Sequence, residues 1–249
     1  MKIDLNYLKK IIYKVLPKFV TNQYDLNVRT RGTHAVECPI CEFRGIFQNF
    51  GTPPRLNAQC PNCGSLERHR LFLLSFLLNH KPNVAFIKAK ILHFAAEPIL
   101  ERVLRPMFGA DYQTADLLVE ADLKIDIEKM QLESNSFSTI ICMHVLEHVD
   151  DKKALAEMFR VLSPKSILIL AFPIIEGWAS TYENVDIDTD EGRLIHFGQA
   201  DHIKYYGRDV RNRIKDQGFI ILEEFTGSPE MCVKYGLQRG EVLLLCQKP

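Results

Sequence analysis

The segment from Phe137 to Pro173, FSTIICMHVLEHVDDKKALAEMFRVLSPKSILILAFP, reads as one uninterrupted strand, helix and strand. Thr139 to Met143 is a short apolar, partly β-branched run, the composition of a strand buried on both faces. Asp150 or Asp151 can cap the next helix, whose apolar positions Leu155, Met158, Phe159 and Leu162 recur at helical spacing until Pro164 stops it. Ile167 to Phe172 is a second buried strand. Two strands joined by a helix of this length run parallel with a right-handed crossover, and such sheets bind ligands at the carboxyl ends of their strands. His144, Glu147 and His148 fall at that end. The unit predicts an α/β fold.

Outside this unit, composition sets the limits. The 249 residues, 47% of them apolar, can bury a large core plus a small accessory module. Equal numbers of acidic and basic residues, 31 each, leave no global field to draw in nucleic acid or an acidic membrane. No apolar run approaches the ~20 residues that cross a bilayer, and no signal peptide opens the chain, so a cytoplasmic location is expected.

Four of the seven cysteines form two pairs, Cys38-Pro-Ile-Cys41 and Cys60-Pro-Asn-Cys63. Two residues between cysteines let both thiolates face one ion, and four thiolates close a tetrahedron around Zn2+. Such a site has no open position and is structural; an iron centre uses the same ligands. A redox reading would need only one of the pairs. Cys142, Cys232 and Cys246 read as ordinary small apolar residues. Upstream, Asp4 to Leu16 reads as a basic amphipathic helix, of a kind that can lie on a membrane surface but is expected here to pack on the body of the protein or on a second subunit. Downstream, Ser65 is placed to cap a helix through Arg68-His69-Arg70 and the apolar run Leu71 to Leu78. These three basic residues lack interleaved exposed aromatics, which gives little support for nucleic-acid binding.

Further strands are expected at Lys90 to Ala95, at Tyr112 to Ala115, and at Leu123 to Ile127. Asp116, at the end of the second of these, is placed as strand-end carboxylates that accept ribose hydroxyls in nucleotide-binding sheets. Residues 174–206 form a long connection at the carboxyl side, read as a lid over an acceptor, with Trp178, Tyr182, His196, His202 and Tyr205 as candidate contacts. A helix over Gly207 to Gln217, ended by Gly218, and strands over Phe219 to Phe225 and Val242 to Cys246 complete the chain.

Ser136-Phe137, Val145-Leu146-Glu147-His148-Val149 and Arg160-Val161-Leu162-Ser163-Pro164 resemble the middle of the class I S-adenosylmethionine-dependent methyltransferases. The four-cysteine ribbon leading into CGSLxRHR, and His196-Phe197-Gly198 with Asp201-His202, are similar to a bacterial subgroup often encoded with surface-glycan genes. The resemblance implies a doubly wound, mostly parallel, seven-stranded Rossmann-like sheet behind a small N-terminal zinc ribbon. The chain departs from it at Ser138, usually Asp, at Lys165-Ser166, usually two glycines, and at the first-strand turn, where His93-Phe94-Ala95-Ala96-Glu97-Pro98 replaces an acidic residue and a glycine-rich run. The cofactor set implied is Phe94, Ala95, Glu97 (toward the methionine ammonium), Asp116, Asp126 and Ile127 (toward adenine), and His144.

The expected organisation is an N-terminal helix and linker over 1–35, a ribbon with its following helix over 36–82, and a methyltransferase domain over 83–249 carrying the lid. The expected function is S-adenosylmethionine-dependent O-methylation of a small-molecule or glycan-precursor acceptor such as a sugar nucleotide, with His196, His202 and His148 as candidate bases. The other reading is a catalytically degenerate ribbon scaffold or nucleic-acid adaptor. Oligomeric state is open, a homo-oligomer included.

Overall fold

The structure, a computed structural model, describes residues 34–51, 54–78 and 90–249. The amphipathic helix expected at Asp4 to Leu16 and the boundary expected near residue 82 lie outside the described residues. The ribbon comes first. β1 (Val36–Glu37) pairs antiparallel with β2 (Arg44–Gly45), and β3 (Gln48–Phe50) with β4 (Arg55–Gln59). α1 (Glu67–Leu78) leads away from it.

The sheet domain follows with β5 (Ile91–Phe94), α2 (Pro98–Phe108), β6 (Tyr112–Asp116), β7 (Leu123–Lys124), β8 (Phe137–Met143), α3 (Asp151–Val161) and β9 (Leu162–Ala171). The segment after β9 is folded rather than extended: β10 (Tyr182–Glu183) pairs with β11 (Lys204–Tyr205), with α4 (Asp190–Phe197) between them. α5 (Val210–Asp216), β12 (Ile220–Phe225), α6 (Pro229–Tyr235) and β13 (Leu243–Gln247) close the chain. The main sheet has seven strands in the order β7-β6-β5-β8-β9-β13-β12. All neighbours are parallel except β13, which runs antiparallel to both β9 and β12. The sequence thus anticipates the sheet and its closing hairpin, but not α6, and it overextends β7, which spans only Leu123–Lys124.

The alternation along each strand explains the double winding. Leu92, Ile140, Cys142, Leu168, Leu170 and Leu244 face α3 and α5 through Leu155, Met158, Val210 and Ile214. Their neighbours Ile91, Ile141, Ile167, Ile169 and Leu243 face the other way, against Leu71 and Phe72 of α1 and Leu100 and Leu104 of α2. Side chains of a strand point alternately to opposite faces, so an unbroken apolar run is what a strand covered on both sides requires. Each such side chain contributes about 1.5–3 kcal/mol on burial. Asp150, not Asp151, caps α3, its carboxylate accepting from the Lys152 and Lys153 amides. Ser65 does not cap α1: its hydroxyl lies 3.3 Å from Cys38 Sγ, while the Leu66 amide donates to His69 Nδ1. No described helix is long and apolar enough to cross a membrane.

Candidate functional site

The four predicted metal ligands converge. Cys38, Cys41, Cys60 and Cys63 place their sulfurs within 4.8 Å of one another, with Cys38–Cys63 at 3.6 Å and Cys41–Cys60 at 3.7 Å. Zinc–sulfur bonds of about 2.3 Å give a tetrahedron with edges near 3.8 Å, so the cage has the size of a closed four-thiolate site. Both knuckles use one device: the residue after the second cysteine takes a positive φ, 61° at Glu42 and 77° at Gly64, and its amide returns to the carbonyl of the first cysteine.

Beside this cage Arg70 is fully buried. Its guanidinium donates to the carbonyls of Ser65, Ala58, Tyr235 and Gly236 at 2.6 to 3.0 Å and lies over the Phe47 ring. Burial lowers its pKa, while Glu67 and the cysteine thiolates oppose that loss as nearby negative charge. Arg68 and His69, immediately before it, are committed to Glu97: Arg68 forms a two-pronged ion pair at 2.7 and 3.0 Å, and His69 Nε2 contacts the same carboxylate. Burial alone would raise the Glu97 pKa, but the bonds from His69 and Arg68 outweigh it and hold the group at about 2. The carboxylate expected to face a methionine ammonium is therefore already paired with the ribbon helix.

Glu97 stands at the turn between β5 and α2, at the carboxyl end of the sheet. Ala95 in that turn has a φ of 46°, and His144, just past the neighbouring β8, has 54°. Left-handed backbone at non-glycine residues costs roughly 1–2 kcal/mol and clusters at functional sites. Phe94 and Ile127 are buried in the core beneath this edge. Asp116 ends β6 and accepts the amides of Leu118 and Val119 at 2.7 and 3.0 Å through Oδ1, while exposed Asp126 accepts the Glu128 amide through Oδ1. His93, at the usual acidic position, is buried, its pKa driven down to about 3, with Nδ1 2.7 Å from the Tyr112 hydroxyl. It supplies no negative charge.

The lid brings in the remaining residues. The Ile203 amide donates to the Glu147 carbonyl and the Tyr206 hydroxyl to the Leu146 carbonyl. Buried Lys204 pairs with Asp151 at 2.9 Å, and Arg213 pairs with both Asp151 and Glu183. These fastenings set His202 against His148, with ring centroids 4.6 Å apart and planes at 84°. Glu147, His148 and His202 form the second cluster of metal-ligand type among the described residues. His144 lies between Glu147 at 3.4 Å and Glu241 at 3.2 Å; burial opposes its charge, but the two carboxylates outweigh that and raise its pKa to about 9. His196 stands apart from this cluster on α4, 2.8 Å from the Tyr182 hydroxyl. Trp178, Tyr182, Phe197 and Tyr205 pack edge to face or tilted against one another within the lid, around buried Phe197. Glu241 and the Arg68–His69 clamp carry no signal in the sequence, because both arise from contacts between distant segments.

A seven-stranded sheet of this order with a single reversed strand defines a Rossmann-like methyltransferase fold. Residues 100–170, from α2 to β9, match the family model described as a methyltransferase domain. Similar solved structures include an S-adenosylmethionine-dependent methyltransferase from Mesorhizobium loti, 11% identical, covering 71% of this chain and 97% of that one with a TM-score of 0.47. They also include the Burkholderia thailandensis 1,6-didemethyltoxoflavin-N1-methyltransferase, solved with bound 1,6-didemethyltoxoflavin and S-adenosylhomocysteine: 12% identical, covering 73% of this chain and 79% of that one, TM-score 0.49. No curated protein matches the sequence.

Proposed function

We propose that the protein is an S-adenosylmethionine-dependent methyltransferase acting on a hydroxyl of a sugar, sugar nucleotide or related surface-glycan precursor. The observation that carries the reading is the edge where β5, β6 and β8 end. There the left-handed turns at Ala95 and His144 and the Asp116 carboxylate lie at the ends of neighbouring strands, and the lid holds His202 against His148 just past β8. Ala95 keeps at this turn the backbone form that glycine adopts elsewhere, so the chain can approach a ligand closely despite its side chain. Asp116 supplies the ribose-binding carboxylate, and Asp126 and Ile127 stand toward the adenine. Glu97, held by Arg68 and His69, braces the turn instead of pairing with the ligand's ammonium.

The cofactor supplies an activated methyl group on sulfur. As the hydroxyl is methylated it would pass its proton to one of the candidate bases, His196, His202 or His148. The residues nearest that task are Glu147, His148 and His202, which hold and polarise the hydroxyl; His196, bound to Tyr182 on the lid, is the more peripheral candidate. The four thiolates of the ribbon hold Zn2+ in a purely structural role. The glycan acceptor rests on the resemblance of the ribbon and of the His196 to His202 segment to the glycan-associated subgroup.

Calorimetry of the zinc-loaded protein with S-adenosylhomocysteine tests the reading. One-to-one binding is expected, weakened by ~1–3 kcal/mol in Asp116→Ala, as charge-assisted hydrogen bonds are lost. Labelled methyl transfer to a panel of sugar nucleotides then tests the acceptor. The ion-paired state of Glu97 favours one rival, a ribbon scaffold with a degenerate cofactor turn; absence of S-adenosylhomocysteine binding would select it.

A further inference from the structure

We infer that Glu147, His148 and His202 form a second metal site, for a first-row divalent cation, separate from the four cysteines. Two polar atoms in this cluster are buried without a partner: Glu147 Oε2 and His202 Nδ1, on residues 2% and 4% exposed. Leaving such an atom unsatisfied costs about 1–3 kcal/mol, and two facing the same cluster point to a missing cation. The arrangement around them is that of metal ligands. An imidazole donating one nitrogen to a carbonyl presents the lone pair of the other, as metal-bound histidines do. His148 is anchored in this way, its Nδ1 3.1 Å from the Asp201 carbonyl oxygen. Glu147 is held from behind by His144.

The ligand atoms lie within 4.8 Å of one another. Bonds of roughly 2.0–2.2 Å put tetrahedral ligand atoms about 3.4 Å apart, so the set would draw in by up to about 1.4 Å. Two imidazoles and one carboxylate suit zinc, iron, cobalt or manganese, and three protein ligands leave positions open, unlike the closed cage of four thiolates. The set is assembled across the lid: Glu147 and His148 follow β8, while His202 arrives from the segment before β11. An ion would therefore tie the lid to the sheet domain. Its open positions would take oxygen ligands, an acceptor hydroxyl among them; that use rests on the methyl-transfer reading, whereas ion binding does not.

The probe is Co2+ added to the full chain whose cysteine site is already filled with zinc. The expected result is one further equivalent, with visible d–d bands and no near-ultraviolet thiolate charge transfer. Affinity should fall about tenfold or more in both Glu147→Gln and His202→Ala. His148→Ala, at a partly exposed side chain, provides a variant that leaves the buried pair in place and should weaken binding similarly. Absence of d–d bands at millimolar cobalt, or unchanged affinity in all three variants, would overturn the site. Because the bands do not depend on the cofactor, S-adenosylhomocysteine calorimetry on the same samples separates this outcome from failure of the methyltransferase reading.

Discussion

Two positions where the family usually has glycine carry larger side chains here yet keep a left-handed backbone: Ala95 with a φ of 46° and Lys165 with 61°. The conformation is imposed by the fold around them, since the Ala95 amide donates to Ala115 of the adjacent strand and the Lys165 amide to Lys248. Ala95→Gly is therefore expected to raise stability by up to about 1 kcal/mol, the reverse of the usual alanine-to-glycine effect, in urea unfolding. A loss of 1 kcal/mol would show that the turn carries no strain. Arg70 gives the opposite case. Its neutral replacement in Arg70→Met withdraws a donor from four carbonyls, of which Ser65 keeps the Cys60 amide, and a loss of about 3–5 kcal/mol is expected at roughly 1–3 kcal/mol per unsatisfied buried group. Glu97 predicts a pH dependence. Its folded pKa of about 2 lies below the ordinary value of 4.5, so its stabilisation is fully present above about pH 4.5 and lost as pH falls toward 2. The stability gap between wild type and Glu97→Gln should shrink over that window; a gap constant with pH would mean that the carboxylate charge is not what matters.

Among the elements, the lid depends most on charge. Its two short strands bury little, and what fixes it is the group of Lys204, Asp151, Glu183 and Arg213, with Lys204 only 3% exposed. Lys204→Met removes a donor from buried Asp151 but leaves Arg213 on that carboxylate. The expected cost is about 1–3 kcal/mol, accompanied by faster amide exchange across residues 182–205. Exchange confined to its wild-type rate would mean that the aromatic packing alone holds the lid.

For the molecule as a whole, the ribbon and the turn between β5 and α2 are mechanically linked. The cysteine cage fixes Ser65 and Arg70, α1 leaves the cage carrying Arg68 and His69, and these grip Glu97 at the end of β5. Cys60→Ser should release about one zinc per chain and lower the melting temperature, because structural zinc binding is coupled to folding. It should also weaken S-adenosylhomocysteine binding, although no cysteine lies at the turn. A variant that lost zinc but bound S-adenosylhomocysteine with unchanged affinity would show that the ribbon does not support the turn.

Local pattern determined much of this protein. The apolar runs of β8 and β9, the capped helix between them and the paired cysteines are written at short range, where strand and helix periodicity and ligand spacing decide the outcome. Strand-end residues such as Asp116 and His144 were legible for the same reason: once the strands are located, their carboxyl ends follow. What sequence could not resolve are contacts whose partners lie far apart along the chain. Only the tertiary structure decided that Glu97 belongs to Arg68 and His69, that Arg70 caps a joint with Tyr235 and Gly236, and that of the two lid histidines it is His202 that meets His148. Periodicity records which face of an element is buried; it carries no information about which charged groups meet once those faces have packed together.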